Sequence, residues 1–125
     1  MTKLASLQQD YEKAVSRLRE VLREPKTEII RDSAIKRFEI AFDLSWKTLK
    51  TYLEDKHNLI ANSPQNCFRE AYKTGLLEYD EFWLEIAKLR NLSVHTYEEK
   101  LAEEIFGKLP KILDYFLKLQ TAISE

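Results

Sequence analysis

Apolar residues recur along the chain every three or four positions, a spacing that places them on one face of an α-helix. The first such run predicts a helix over residues 3–24, which Pro25 ends. Its apolar face consists of Leu4, Leu7, Tyr11, Ala14, Val15, Leu18, Val21 and Leu22. Two glycines and three prolines in 125 residues allow few turns, so the pattern predicts an all-α fold built from long helices.

The second run is the longest and predicts the central helix of a bundle. It starts near Thr27, a suitable cap, and continues to about Lys56. The apolar face of this helix is formed by Ile30, Ala34, Phe38, Ala41, Phe42, Ser45, Trp46, Leu49, Tyr52 and Leu53. A short third helix follows, with Ser63 as its N-cap, Pro64 in its first position and Gly75 after its end.

Two further helices complete the predicted bundle. The fourth starts near Asp80 and carries Phe82, Trp83, Ile86, Ala87 and Leu89. The residues T-Y-E-E at 96–99 fit a capping box, with Thr96 as the N-cap of the last helix and Glu99 three residues later. An apolar face then continues through Leu101, Ile105, Leu109, Ile112, Phe116 and Leu119. Gly107 and Pro110 interrupt this face without changing its phase, which predicts a kink or a short break and not a turn.

Composition and charge fit a single soluble domain, residues 1–125, folded as an up-and-down bundle of four or five helices. The net charge is −1, so the chain lacks the broad basic surface of a typical nucleic-acid binder, and any contact with RNA has to be local. The single cysteine fits a reducing compartment. No apolar run has the length of a signal peptide core or a membrane helix, and we expect a cytoplasmic protein without membrane contact.

The stretch R-N-L-S-V-H-T-Y, residues 90–97, departs from this regular pattern. Arg90 falls near the middle of the apolar face of the fourth helix. A guanidinium stays charged when it is buried, so Arg90 needs a carboxylate partner, a ligand or a cleft. The ordinary interpretation is an arginine that pairs with a buried carboxylate at a helix end. Glu39 and Asp43, one turn apart, are expected on a solvated edge or as partners of an arginine.

The expected cap at Thr96 places a bend between the last two helices. Residues 91–94 would turn the chain, His95 would precede the last helix and Tyr97 would open it, so that Arg90, His95 and Tyr97 could converge. An arginine and a histidine beside free backbone N–H groups can bind a phosphate, and the histidine can serve as general base or acid. RNA supplies its own nucleophile, the 2′-hydroxyl group, and nothing in the sequence resembles a metal-ligand cluster. We therefore expect no cofactor and no metal.

Three blocks of the sequence resemble one protein family. R-N-L-S-V-H-T-Y resembles the HEPN superfamily signature of Arg, four residues, His, one residue and Tyr. Residues 37–53, R-F-E-I-A-F-D-L-S-W-K-T-L-K-T-Y-L, resemble the second helix of the nucleotidyltransferase substrate-binding branch of that superfamily. Residues 63–76, S-P-Q-N-C-F-R-E-A-Y-K-T-G-L, resemble the third helix of the same branch. The blocks follow the family's order and cover nearly the whole chain.

The resemblance implies a homodimeric helical bundle in which the two copies of the motif face each other at the subunit interface. It implies a metal-independent endoribonuclease, the toxin of a toxin–antitoxin pair, with RNA or a nucleotide as ligand. By the same resemblance Arg90 and His95 are the catalytic pair, and Asn91 is a supporting polar residue. The implied partner is a cognate minimal nucleotidyltransferase, the antitoxin, which transfers AMP to Tyr97.

Two other functions remain open from the sequence. The chain could be a non-catalytic subunit that presents a nucleotide or substrate to a nucleotidyltransferase, or it could be a purely structural dimerisation bundle. The position of Arg90 on an apolar face disfavours the structural bundle. An intact arginine and histidine favour cleavage, whereas the absence of a basic surface argues for weak or guided RNA binding.

Overall fold

A computed structural model describes residues 1–124, and all regular structure within that range is helical. The prediction of an all-α fold is confirmed. The five α-helices are α1 Lys3–Leu22, α2 Glu28–His57, α3 Pro64–Lys73, α4 Phe82–Leu92 and α5 Glu99–Ala122, with a single 3₁₀ turn, Ser93–His95, between α4 and α5.

Local capping signals set several of these boundaries. The hydroxyl groups of Thr27 and Ser63 accept hydrogen bonds from backbone N–H groups three residues later, at 3.0 and 3.2 Å, so both predicted caps are confirmed. Pro64 occupies the first turn of α3. Gly75 has φ +78°, a left-handed conformation that favours glycine, and it follows the C-cap of α3 as predicted.

The core of the bundle forms around α2, which contacts each of the other four helices. Phe38 on α2 stacks on Phe116 of α5, and Phe68 of α3 stacks on Trp83 of α4 at 4.5 Å between ring centroids. Full burial of one such side chain stabilises the fold by about 1.5–3 kcal/mol. The buried hydroxyl of Tyr11 donates a 2.7 Å hydrogen bond to the carbonyl of Phe116, which ties α1 to α5.

Helix α5 runs across Gly107 and Pro110 without a break. Of the two outcomes that the sequence predicted there, the short break is wrong. Ile105, Leu109 and Ile112 are all fully buried, so the apolar face keeps contact with the core on both sides of the proline. This packing compensates for the backbone hydrogen bond that proline cannot donate.

The capping box predicted at residues 96–99 does not form. The Thr96 hydroxyl donates to the carbonyl of Ser93 at 3.0 Å, and its backbone, at φ −73° and ψ +3°, lacks the extended conformation of an N-cap. Glu98 is the N-cap, without a side-chain hydrogen bond, and α5 begins at Glu99. Tyr97 therefore lies in the turn before α5 and does not open that helix.

The path of the chain after Arg90 also differs from the prediction. Asn91 and Leu92 complete α4, and Ser93–His95 form the 3₁₀ turn, so the bend begins at Ser93, two residues later than predicted. The backbone N–H of Thr96 reaches the Ser93 carbonyl, and that of Glu98 reaches the His95 carbonyl at 3.0 Å. These hydrogen bonds between residues three apart form successive turns that connect α4 to α5. In residues 1–124 no helix has both the length and the apolar character needed to cross a membrane.

Candidate functional site

Arg90 lies at the junction of α4 with α2, where two carboxylates hold its guanidinium. Nε and Nη2 each donate to a carboxylate oxygen of Asp43 at 3.1 Å, which gives a two-pronged pair. Nη1 donates to Glu39 at 3.0 Å and to the hydroxyl of Ser93 at 3.2 Å. The interpretation of Arg90 as the partner of a carboxylate is confirmed, and Glu39 and Asp43 are the partners.

These contacts use most of the hydrogen-bonding capacity of Arg90. A guanidinium has five N–H donors, and the four hydrogen bonds to Asp43, Glu39 and Ser93 leave one of them on Nη2 for a ligand. The hydrogen bond to Asp43 is the main cause that raises the pKa of Arg90, while partial burial opposes it. One cation and two carboxylates sum to −1. The cluster is therefore a rigid anchor with limited free capacity for a phosphate.

Ser93 completes this cluster, and sequence reasoning did not single it out. Its buried hydroxyl contacts the Glu39 carboxylate and lies 2.7 Å from the carbonyl of Arg90. The signal that could have found it is its spacing: a serine three residues after Arg90 on a helical path faces the same side. Glu39 and Asp43 are likewise one turn apart on α2, facing the same partner.

His95 and Tyr97 form a second, exposed pair in the turn between α4 and α5. The Nδ1 atom of His95 lies 3.2 Å from the Tyr97 hydroxyl, and the two rings meet edge to face. Tyr97 is 79% exposed, an unusual position for a large aromatic side chain. His95 and Tyr97 contact each other, whereas the hydrogen bonds of Arg90 all go to Asp43, Glu39 and Ser93.

Asn91, the predicted supporting residue, is exposed on α4 and is not among the hydrogen-bond partners of Arg90. It lines a cavity of about 440 Å³ bounded by α2, the start of α3 and α4. The side chains of Arg90 and Asn91 thus face two neighbouring surfaces of the same helix.

A second cluster of charged side chains connects α2 to the start of α5, directly after the turn that carries Tyr97. Arg31, a buried residue of α2, donates to both carboxylate oxygens of Glu99 at 2.6 and 3.2 Å and to Glu103 at 3.0 Å. Its hydrogen bond to Glu99 is the main cause that raises the pKa of Arg31, and the same contact lowers the pKa of Glu99. Arg31 therefore fixes the first residue of α5, two positions after Tyr97.

The chemistry available in this region is that of acid–base and ionic side chains. Across residues 1–124, no three His, Cys, Asp or Glu side chains are grouped so that they could hold a metal ion. His95 and Tyr97 are both exposed, so the imidazole and the phenol hydroxyl are accessible from outside the chain.

Comparison with known proteins defines the class of this helical bundle. It superposes with a TM-score of 0.72 on HI0074 from Haemophilus influenzae, whose structure is described as revealing the fold of a substrate binding domain of a nucleotidyltransferase. That match covers 98% of this chain and 97% of HI0074 at 21% identity, and it shows the fold. A sequence profile described as "Nucleotidyltransferase substrate binding protein like" matches residues 7–125. The chain belongs to this family, and its resemblance to the HEPN superfamily is confirmed.

Two further proteins are similar to this chain, one in structure and one in sequence. The protein ttk003001694 from Thermus thermophilus superposes with a TM-score of 0.87 at 36% identity, over 92% of this chain and 99% of that one. The protein named "Probable ribonuclease HepT" from Haemophilus influenzae is 27% identical over 84 residues, which are 64% of this chain. The match spans 58% of the length of that relative.

Proposed function

We propose that this protein is a metal-independent endoribonuclease, the toxin of a toxin–antitoxin pair, in which Arg90 and His95 act at a cleft between two copies of the chain. The observation that carries the proposal is the exposed His95, in the turn directly after α4 and five residues from an Arg90 that α2 holds in place. The similarity to a protein named probable ribonuclease HepT supports the same activity.

The proposed reaction uses the 2′-hydroxyl of RNA as nucleophile. His95 takes the proton from this hydroxyl as its oxygen bonds to the neighbouring phosphorus, and the bond from phosphorus to the 5′-oxygen breaks. The 5′-oxygen receives a proton, and the other product carries a 2′,3′-cyclic phosphate. The remaining N–H of Arg90 and its positive charge stabilise the phosphate as negative charge develops on it, while Asn91 is a supporting contact beside Arg90. The second copy of the chain supplies a second histidine, so one can act as base and the other as acid.

Tyr97 is the proposed point of control. A cognate minimal nucleotidyltransferase, the antitoxin, would transfer AMP from ATP to the Tyr97 hydroxyl and release pyrophosphate. The hydroxyl is exposed and lies 3.2 Å from Nδ1 of His95, so a bulky anionic group there would cover the histidine and repel RNA.

The decisive test of cleavage compares two histidine variants. We expect His95→Ala to lower the rate of RNA cleavage by about 10²–10⁴-fold, the usual contribution of a general base or acid, and to abolish growth toxicity in a bacterial host. His57→Ala is the matched control because His57 is exposed at the far end of α2. A purified protein that cuts no RNA and is harmless when expressed alone would exclude the toxin.

The control by Tyr97 has its own test. After co-expression with the nucleotidyltransferase, mass spectrometry should find added AMP on the peptide that contains Tyr97. Tyr79 is the internal control, since it is 69% exposed on another part of the surface. Modification of both tyrosines, or of neither by an active partner enzyme, would contradict a dedicated site at Tyr97.

One observation favours a second candidate function, a non-catalytic subunit that binds a nucleotide or substrate for a nucleotidyltransferase. Four hydrogen bonds engage Arg90 within the chain, which suits an anchor better than a phosphate-cleaving group. This alternative predicts no RNA cleavage by the purified protein, together with nucleotide transfer by the partner that requires this chain.

A further inference from the structure

We propose that the cavity between α2, α3 and α4 is a subsite for one nucleobase of an RNA substrate, an inference that rests on the proposed ribonuclease function. The cavity measures about 440 Å³, within the range of about 300–1,000 Å³ that is usual for small-molecule pockets. It combines an apolar wall with a polar rim. The residues that carry the inference are Phe42, Gln65, Leu84, Ala87, Lys88 and Asn91.

The apolar wall offers a surface for a flat, weakly polar ring. Phe42 is buried and Ala87 is partly buried, so these residues form a fixed floor between α2 and α4. Leu84 is 42% exposed and stands at the open side of the cavity. Single-stranded RNA is generally recognised through bases that leave their stack and pack against such side chains.

The rim carries the groups that read the edge of a base. Gln65 and Asn91 each present an amide with both donors and an acceptor, the pattern that matches nucleobase edges. Neither amide side chain is engaged in a hydrogen bond within residues 1–124, so both are available to a ligand.

The charges around the cavity suit the phosphate attached to that base. The first residues of α3 and its cap, Ser63–Gln65, line the cavity, so the positive end of the helix dipole is beside it. Lys88 adds a full positive charge at the rim. The adjoining cluster of Arg90, Asp43 and Glu39 has a net charge of −1, so Lys88 and the N-terminus of α3 are the positive groups at this cavity that a phosphate would contact.

The cavity adjoins the proposed catalytic site along both helices. On α2, Glu39 of the Arg90 cluster and Phe42 of the cavity are three residues apart, and on α4 the same spacing separates Ala87 from Arg90. Residues at this spacing have Cβ atoms about 5–6 Å apart on the helix surface. One nucleotide can therefore occupy the cavity while the neighbouring phosphate of the strand lies at Arg90.

Binding of RNA to catalytically silent protein tests this subsite without depending on cleavage. In a His95→Ala background, affinity for short homopolymers of each of the four ribonucleotides would be measured by fluorescence anisotropy. Leu84→Trp places a larger ring at the open side of the cavity, obstructs the entry of a base and should weaken binding about tenfold, in line with the loss of one base contact. Gln65→Ala removes a rim amide and should reduce the difference in affinity among the four homopolymers.

Two control variants separate the cavity from general surface effects. Ile29→Trp introduces the same large ring at an exposed position, about 20 Å along α2 from Phe42. This variant should bind RNA as tightly as the parent, which is the protein with His95→Ala alone. Gln9→Ala changes an exposed glutamine on α1 and should also behave like the parent. Circular dichroism establishes that each variant is folded.

The outcomes distinguish this inference from the proposed function. Equal binding by the cavity variants and the control variants would overturn the subsite even if the unsubstituted protein cleaves RNA. An absence of RNA binding by the parent would also overturn it. Selective weakening by Leu84→Trp would support the subsite even if cleavage by the unsubstituted protein is not observed.

Discussion

Arg90 has a structural role, whatever its part in the proposed function. Its fork of hydrogen bonds joins α4 to Asp43 and Glu39 on α2, 47 and 51 residues earlier in the chain. The sequence could show that Arg90 needed a partner, because a guanidinium on an apolar face must be satisfied. It could not identify the partner, since that depends on how two distant helices pack.

Substitution of Arg90 by lysine tests how much the two parallel hydrogen bonds to Asp43 contribute to stability. A lysine keeps the charge but presents one ammonium group and cannot pair with Asp43 through two parallel donors. We expect Arg90→Lys to lower the free energy of unfolding by about 1–3 kcal/mol, measured by urea denaturation. Lys88→Arg, an exposed change on the same helix, should shift it by less than about 0.5 kcal/mol. Equal stabilities of the two variants would mean that the fork contributes little.

Cys67 provides a second prediction at the scale of a residue. Burial raises the pKa of its thiol to about 11, so little thiolate exists at neutral or mildly alkaline pH. We expect a thiol reagent such as 5,5′-dithiobis(2-nitrobenzoate) to react slowly with native protein at mildly alkaline pH and rapidly after unfolding in guanidinium. Similar rates in both states would contradict the burial of this side chain.

At the scale of the helices, a boundary was predictable from the sequence where neighbouring residues determine it. It was not predictable where a contact with a distant helix determines it. Ser63, Pro64 and Gly75 define the ends of α3 through their own backbone and side-chain preferences. The start of α5 is different. Glu99 is drawn to Arg31 on α2 and does not cap its own helix, so the local capping-box pattern gave the wrong start.

The contact between Arg31 and Glu99 leads to a prediction about acid stability. The folded state lowers the pKa of Glu99, chiefly through its hydrogen bond to Arg31. The contribution to stability is therefore complete above the unfolded pKa, about 4.3, and is lost as the pH falls through the lower folded value. We expect the melting temperature of the unsubstituted protein to fall between about pH 5 and pH 3.

Glu99→Gln isolates this contribution because glutamine does not titrate. The variant should be less stable at neutral pH and should lose less stability on acidification than the unsubstituted protein, as followed by circular dichroism. Glu104→Gln, an exposed change further along α5, is the matched control, and its stability should depend on pH as that of the unsubstituted protein does. Parallel curves for parent and Glu99→Gln would show that Arg31 does not depend on this partner.

At the scale of the whole molecule, the proposed catalytic residues of a single chain lie in two different environments. His95 and Tyr97 are exposed in the turn before α5, while Arg90 is directed towards α2. The motif supplies one histidine per chain, which cannot serve as base and acid at the same time, so the proposed reaction is best satisfied by two copies related by a two-fold axis. The motif names the candidate residues, but the sequence of one chain does not specify their distances across an interface.

Mixing two inactive variants tests whether the site is shared between copies. One carries His95→Ala, and the other combines Arg90→Gln with Asp43→Asn so that the loss of the arginine leaves one fewer carboxylate unpaired. A mixed dimer retains one Arg90 and one His95 in the common cleft. We expect RNA cleavage at a small fraction of the rate of the unsubstituted dimer after the two variants are unfolded and refolded together, because one His95 remains to act as base while solvent water protonates the 5′-oxygen, and none when each is refolded alone. An inactive mixture, with mixed dimers detected by native mass spectrometry, would mean that each chain must supply both residues of its own site.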